Sequence, residues 1–272
     1  MRFTYVYDAV YPYIMGGVER RVWELSRRLA GRGHDVHLYG MQWWAGDPDI
    51  EREGVHLHGT CRRDITIIPN GIDLEEIDEI LPAEVKSDII FVGRLIREKH
   101  LDVLVDAIGI LRQTSPGLRC LVIGDGPERK DLEEKVNMMN LSGYILFTGF
   151  FKRSEDMIAH MKSSRVFVIP STRERYGISA LEALAAGLPV VTVDQPKNAS
   201  RDFVRNGYGA LAALDKHDLA KKIREVLERG KNKEIGKTAC EYDWEVINDR
   251  IEKYYVGIAE RRSRSKNNTK ES

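Results

Sequence analysis

Two carboxylates, Glu174 and Glu182, stand eight positions apart in this chain of 272 residues, with Tyr176-Gly177 between them. The apolar run Val166-Phe167-Val168-Ile169 precedes them and ends at Pro170-Ser171. Small and apolar residues follow, from Ala183-Leu184-Ala185-Ala186 to Pro189-Val190-Val191. The order reads as strand, loop, helix start, helix, strand. It places Glu174 in the loop at the strand's carboxyl end and Glu182 one to two turns into the helix. Both then face the crevice where open α/β sheets bind ligands. The amides of Gly177, Ile178 and Ser179 fall at a helix N-terminus, where unpaired N–H groups and the helix dipole favour an anion. One site would offer an anion cradle flanked by two carboxylates that seek hydroxyls. A nucleotide-sugar, a diphosphate with a polyol on each side, has the matching shape.

The counter-charges are Arg94 and Lys99, just after the apolar run Ile89-Ile90-Phe91-Val92-Gly93. A guanidinium holds phosphate oxygens in bidentate fashion, and an ammonium adds a point charge. Taken alone, the pair fits a solvated basic turn better. Gly16-Gly17 lets backbone approach a phosphate or a second substrate, although a Gly-Gly step is often only a turn. Arg20 and Arg21 suit an anionic acceptor or a solvated helix face equally.

Taken together, these stretches resemble retaining glycosyltransferases of the GT-B fold, in particular family 4. Glu174 to Glu182 resembles that family's E-x7-E motif. Gly93-Arg94 with Lys99 resembles its G-R-x4-K donor clamp, and Gly16-Gly17-Val18-Glu19-Arg20 its N-terminal glycine loop. Ile68-Pro69-Asn70-Gly71-Ile72-Asp73 is similar to the stretch that usually closes the N-terminal domain. Gly124-Asp125-Gly126-Pro127 is similar to a turn in the C-terminal domain. The matches occur in the family's order.

The resemblance implies roles. Glu174, Arg94 and Lys99 are the implied catalytic residues. Glu182, Gly177, Ile178, Ser179, Gly16, Gly17 and Gly93 are the implied donor-binding residues, with Glu182 accepting from the ribose hydroxyls and Glu174 near the reacting sugar. The family usually has Gly where Arg175 stands and Phe where Tyr176 stands, so Arg175 either crowds the sugar pocket or adds a phosphate contact. No cofactor and no metal are implied, because Arg94, Lys99 and the helix N-terminus supply the positive charge. The implied partners are a nucleotide-diphosphate sugar and a glycan or glycolipid acceptor. A catalytic base is not assigned. The family's N-terminal-domain histidine has no counterpart in context here, and His34, His37, His56 and His58 read as surface or strand histidines.

Stepping from motif to motif requires a scaffold of alternating strands and helices, which implies a mostly parallel sheet. The expected fold class is α/β, of GT-B type. Residues 1–64 form a partial N-terminal Rossmann-like domain on the acceptor side, with strands at 3–7, 36–39 and 55–58 and one helix carrying Val22, Leu25 and Leu29. Residues 65–260 form a complete donor-binding Rossmann-like domain. Its expected helices include 101–111, 128–139, 155–161, 216–229 and a last one at 244–259. Residues 261–272 read as a disordered basic tail. The N-terminal series runs from Thr60 almost directly into 65–71, where the family has several more strands and helices. A domain of about 60 residues is marginal alone, so a complementing chain or a second copy is an expected partner.

Composition narrows the class. Lys+Arg and Asp+Glu both number 42, so net charge is zero and gives no argument for nucleic acid. Three scattered cysteines suggest neither a disulfide framework nor zinc. The N-terminus reads as a strand rather than a signal peptide, and no apolar run approaches the ~20 residues that span a bilayer. A cytoplasmic enzyme, peripheral at the inner membrane face if its acceptor is a lipid, is the expectation. Trp43-Trp44 either touches a membrane or fills the core, with the core slightly favoured. A non-catalytic donor-binding remnant, or one subunit of a split enzyme, is the alternative. Sugar-nucleotide epimerases share the fold but lack this pairing of motifs.

Overall fold

Continuous apolar runs such as Ile89-Ile90-Phe91-Val92 have no polar face, which suits strands covered on both sides. That is where they lie in the computed structural model. It describes residues 1–6, 10, 13, 17–60, 69–204, 208–231 and 234–268, with only the backbone at 17–19, 60, 255 and 258–268. The chain divides into two units, Met1–Ile67 and Ile68–Ser272.

The first unit contains β1 (Arg2–Val6), α1 (Gly17–Ala30), β2 (Asp35–Met41), β3 (Asp49–Arg52) and β4 (Val55–Thr60). Its sheet has the order β1-β2-β4-β3. β1, β2 and β4 are parallel, and β3 is antiparallel to β4. Val36, Leu38, Val55 and Leu57 point to one face and are buried with Trp23 and Val10. Trp43 and Trp44 are half-buried against that cluster, and the Trp44 indole donates to the Asp47 carbonyl at 2.8 Å. They fill core. β3 has the sequence Asp-Ile-Glu-Arg, too polar to read as a strand. It forms because Glu53 and Gly54, at φ 51° and 77°, make a tight reversal onto β4.

The second unit begins with α2 (Leu74–Glu79) and β5 (Ser87–Val92). It continues with α3 (Leu101–Leu111), β6 (Cys120–Ile123), α4 (Arg129–Met138), β7 (Ile145–Gly149), α5 (Ser154–Ser163) and β8 (Ser164–Ile169). Then come β9 (Arg173–Glu174), α6 (Ile178–Ala185), β10 (Val190–Val193), β11 (Lys197–Asn198), α7 (Ser200–Val204), β12 (Gly209–Ala212), α8 (Lys216–Arg229) and α9 (Trp244–Asn268). Six strands form a parallel sheet in the order β12-β10-β8-β5-β6-β7. α3 packs with α4 and α8, while α5 packs with α6. α8 shows how the sequence sets such a helix. Asp215 caps it by accepting from the amides of His217 and Asp218, and Leu219, Ala220, Ile223 and Val226 form its buried stripe. Each fully buried Val, Leu, Ile or Phe contributes about 1.5–3 kcal/mol of transfer free energy, and these side chains make one continuous core.

Two expectations need correction. The last helix does not stop near Ala259. Its backbone continues to Asn268, so residues 261–268 are helical rather than disordered. Glu174 does not lie in an open loop but in the two-residue strand β9, paired in parallel with β11. Gly16, residues 61–68, Arg205 and residues 269–272 lie outside the described residues. Among the described residues, no helix is long and apolar enough to cross a membrane.

Candidate functional site

The chain leaves β5 toward β6 and β7 on one side, then returns to β8, β10 and β12 on the other. β5 and β8 are neighbours whose onward connections diverge. A crevice therefore opens at their carboxyl ends, the place where such sheets bind ligands. The loop after β5 carries Gly93, Arg94 and Lys99. The loop after β8 carries Glu174 and leads to Gly177, Ile178, Ser179 and Glu182. The sheet order alone thus brings the two stretches to one rim.

Direct contacts join them. The Lys99 ammonium donates to the Glu174 carboxylate, and the two side chains are 14% and 11% exposed. One residue back, the Glu98 carbonyl accepts from the Thr172 amide at 3.0 Å and the Ser171 hydroxyl at 3.1 Å. One residue on, His100 Nε2 lies 3.0 Å from Thr172 Oγ1. His100 is held at φ 49°, ψ 45°, a conformation uncommon outside glycine. Sequence reasoning missed His100, Thr172 and the Glu98 carbonyl, because backbone acceptors and turn geometry leave no motif.

The Gly124-Asp125-Gly126-Pro127 turn braces the same rim. The Asp125 carbonyl accepts from the Leu95 amide at 2.9 Å, and the Leu95 carbonyl accepts from the Glu128 amide at 3.1 Å. A Cβ on Gly124 would overlap the Gly93 carbonyl, so only glycine permits this approach. The turn holds Gly93 and Leu95, and with them the backbone of Arg94. The Arg94 side chain is exposed and has no ion pair among the described residues.

On the other side, Gly177 caps α6 in the left-handed conformation, φ 79° and ψ 41°. A Cβ there would overlap Ser200 Oγ, which is itself buried without a hydrogen-bond partner. The first amides of α6, at Ile178 and Ser179, have no side-chain cap. Tyr176 donates its hydroxyl to the Asn70 carbonyl at 2.7 Å, and burial pushes its phenol up to about 12. Ordering of β9 comes from below. Asn198, the register partner of Glu174, is buried and donates to Thr192 Oγ1 at 2.9 Å and the Val193 carbonyl at 2.8 Å. The Thr192 hydroxyl donates in turn to the Ile169 carbonyl at the end of β8.

Glu182 is the outlier. It sits on α6 between the buried Leu181 and Ala183, and no cation or hydrogen-bond donor pairs with it among the described residues. Burial pushes its carboxyl up to about 7. An unpaired, desolvated carboxylate costs stability, and such groups concentrate at functional sites. Beside β9 and β11 lies a hollow of about 400 Å³ lined by Glu174, Arg175, Asn198 and Arg201, among others. Arg175 therefore faces a concave surface. Of the expected donor residues, Gly17 opens α1 in the first unit. The others described here all lie on the second.

The profile of the glycosyl transferases group 1 family matches residues 73–242, well over half of the chain. The chain belongs to the glycosyl transferases group 1 family. It is 35% identical to the 2-deoxystreptamine glucosyltransferase of Streptomyces kanamyceticus over 144 residues, 48% of this chain and 37% of that protein. It is 27% identical to the alpha-monoglucosyldiacylglycerol synthase of Acholeplasma laidlawii over 226 residues, 75% of this chain and 55% of that protein. A crystal structure of the pneumococcal O-GlcNAc transferase GtfA superposes with a TM-score of 0.61 at 19% identity, covering 94% of this chain and 45% of that one. The solved neighbours are GT-B glycosyltransferases, and this group 1 chain shares their α/β fold. It spans between about a third and about a half of the length of these curated relatives.

Proposed function

We propose that this group 1 chain is a retaining, family 4-type glycosyltransferase that moves a sugar from a nucleotide-diphosphate sugar to an acceptor hydroxyl. The observation that carries the reading is Glu182. Among the described residues it is an unpaired, desolvated carboxylate on a helix that starts at the sheet's switch point. A ribose diol supplies the donors that this carboxylate lacks. Arg94 and Lys99 hold the diphosphate, with Gly93 and the amides of Gly177, Ile178 and Ser179 completing the anion cradle. Glu174 meets the sugar hydroxyls. Lys99 reaches the donor already oriented by Glu174, so less side-chain ordering remains for the moment of binding.

In this reading, fixed positive charge stabilises the departing diphosphate, the departing phosphate assists the incoming hydroxyl, and no metal is needed. By the family resemblance, Gly16 and Gly17 belong to the donor-binding set as well. The acceptor is a glycan or glycolipid; one relative, the alpha-monoglucosyldiacylglycerol synthase, is named for a glycolipid product. A lipid acceptor would place the enzyme in the cytoplasm at the inner membrane face.

The test is nucleotide release over a panel of UDP-, GDP- and ADP-sugars, with Glu182→Ala as control. Release that depends on Glu182 supports the reading and identifies the donor. A second reading is a donor-binding chain without activity of its own, or one subunit of a split enzyme. A first unit with four strands among the described residues, which fits a shortened acceptor domain, favours it. Saturable binding of a nucleotide-sugar without release would establish it.

A further inference from the structure

The open face of the first unit's sheet carries a chain of charged and imidazole groups. In the register of the strands, His37 on β2 stands opposite His56 on β4, and Tyr39 opposite His58. Asp35 lies two positions before His37 on β2, and so on the same face. Asp49 on β3 stands opposite His58. The contacts run in series. Asp49 Oδ1 is 2.8 Å from His58 Nδ1, His58 Nε2 is 2.8 Å from His37 Nδ1, and His37 Nε2 is 2.8 Å from Asp35 Oδ1.

A proton count across this series comes out one short. Three contacts at hydrogen-bond distance need three protons between their partners. Two neutral imidazoles carry two. If the His58 Nδ1–H donates to Asp49, the His37 Nδ1–H donates to His58. The lone pair of His37 Nε2 then faces the Asp35 carboxylate with nothing between. With those tautomers, a cation between His37 Nε2 and Asp35 Oδ1 would complete the series, and a metal ion is one such cation.

His56 favours a metal ion. Its Nε2 lies 3.8 Å from the same Asp35 Oδ1, and its ring is 4.8 Å from that of His37, centroid to centroid. Atoms of Asp35, His37 and His56 that can each ligate a cation lie within 4.8 Å of one another. Ligand atoms about 2.1 Å from a tetrahedral zinc ion are roughly 3.4 Å apart, so small side-chain rotations suffice. The supporting groups are also present. With that tautomer, the His37 Nδ1–H donates into the His58–Asp49 series, the second contact that ligating histidines usually make. Arg2 Nε donates to Asp35 Oδ2 at 2.6 Å, which leaves Oδ1 for the ion. Asp35 and His56 are 39% and 42% exposed, so an ion can enter from solvent.

We propose that Asp35, His37 and His56 form a site for one Zn2+-class divalent ion on the first unit's sheet, with His58 and Asp49 setting the tautomer of His37. Two imidazoles and one carboxylate suit zinc and its first-row neighbours better than calcium or magnesium. Three protein ligands leave a fourth position for water or a partner's side chain. All of these residues belong to the first unit, and the test does not depend on the proposed transferase activity.

The experiment titrates the full chain with Zn2+ in a non-chelating buffer, followed by calorimetry and by the ring resonances of the seven histidines. One equivalent is expected to bind. The signals of His37, His56 and His58 should move, while those of His100, His160 and His217 stay. His37→Ala and His56→Ala should each weaken binding at least a hundredfold, and His58→Ala about ten- to a hundred-fold. The wild-type resonances keep the test valid if a variant unfolds. No saturable binding, or binding that leaves the His37 and His56 signals in place, overturns the proposal.

Discussion

The Lys99 ammonium and the Glu174 carboxylate form an ion pair across the crevice between β5 and β8, each side chain largely shielded from water. They are 75 positions apart in sequence. A cation and an anion proposed for different parts of one substrate are thus joined before any substrate arrives.

Breaking this pair from one side should be costly. Lys99→Met strands a shielded carboxylate and is expected to lower stability by about 3 kcal/mol, near the low end for buried pairs because some exposure remains. The double variant Lys99→Met/Glu174→Leu should recover most of that loss while nucleotide release stays absent. Urea melts of wild type, both single variants and the double variant measure the coupling. Losses that simply add would mean that the pair does not interact.

Glu182 makes stability depend on pH. Its folded-state value of about 7 lies above the ordinary carboxylate value. The contribution of its protonated form is complete below about pH 4.5 and is lost as pH rises through about 7. Glu182→Gln should therefore match wild type near pH 5 and exceed it at pH 8, by up to about 3 kcal/mol. Melts at the two pH values check this. An equal difference at both would exclude the desolvated carboxylate as the cause.

Arg94 separates binding from folding. It is exposed and unpaired among the described residues, so Arg94→Ala should leave stability within about 0.5 kcal/mol of wild type. Affinity for a nucleotide diphosphate should fall roughly ten- to a hundred-fold, the worth of one charge-assisted contact. Calorimetric titration with UDP and GDP reads the second number. Unchanged affinity for both would remove Arg94 from the anion cradle.

Gly177 and Ser200 should couple. Gly177→Ala imposes a left-handed backbone on alanine, at about 1–2 kcal/mol, and drives its methyl into Ser200 Oγ. Adding Ser200→Gly removes the overlap but not the backbone cost. The double variant should regain part of the loss, which a thermal-melt cycle resolves. No recovery at all would locate the whole penalty in φ.

The scaffold was legible because burial on both faces leaves unmistakable runs, such as those of β5, β8 and β10. The span of α8 follows from Asp215 and Gly230 at its ends. Polar elements were not legible. β3 depends on the reversal at Glu53-Gly54 and on pairing with β4, neither of which alternation records. β9 and β11 are two residues each and exist only as partners. The residue types of the candidate site were readable, but not the Lys99–Glu174 contact, because the order in which strands assemble sets it. The histidine series was hidden for the same reason: Asp35 and His37 meet His56 only once β2 and β4 are in register.

The hydrogen bonds from Asn198 through Thr192 to Ile169 have a kinetic consequence. They tether β9, and Glu174 with it, to the end of a central strand whose side chains from Val166 to Ile169 are fully buried. Segments exchange their amide protons at the rate at which their cooperative unit opens. The Ala199 amide, bonded to the Glu174 carbonyl, should therefore exchange on the slow timescale of the sheet rather than the fast one of surface loops. The rim that carries Glu174 would then be one of the last parts of this unit to open, a preformed wall rather than a lid.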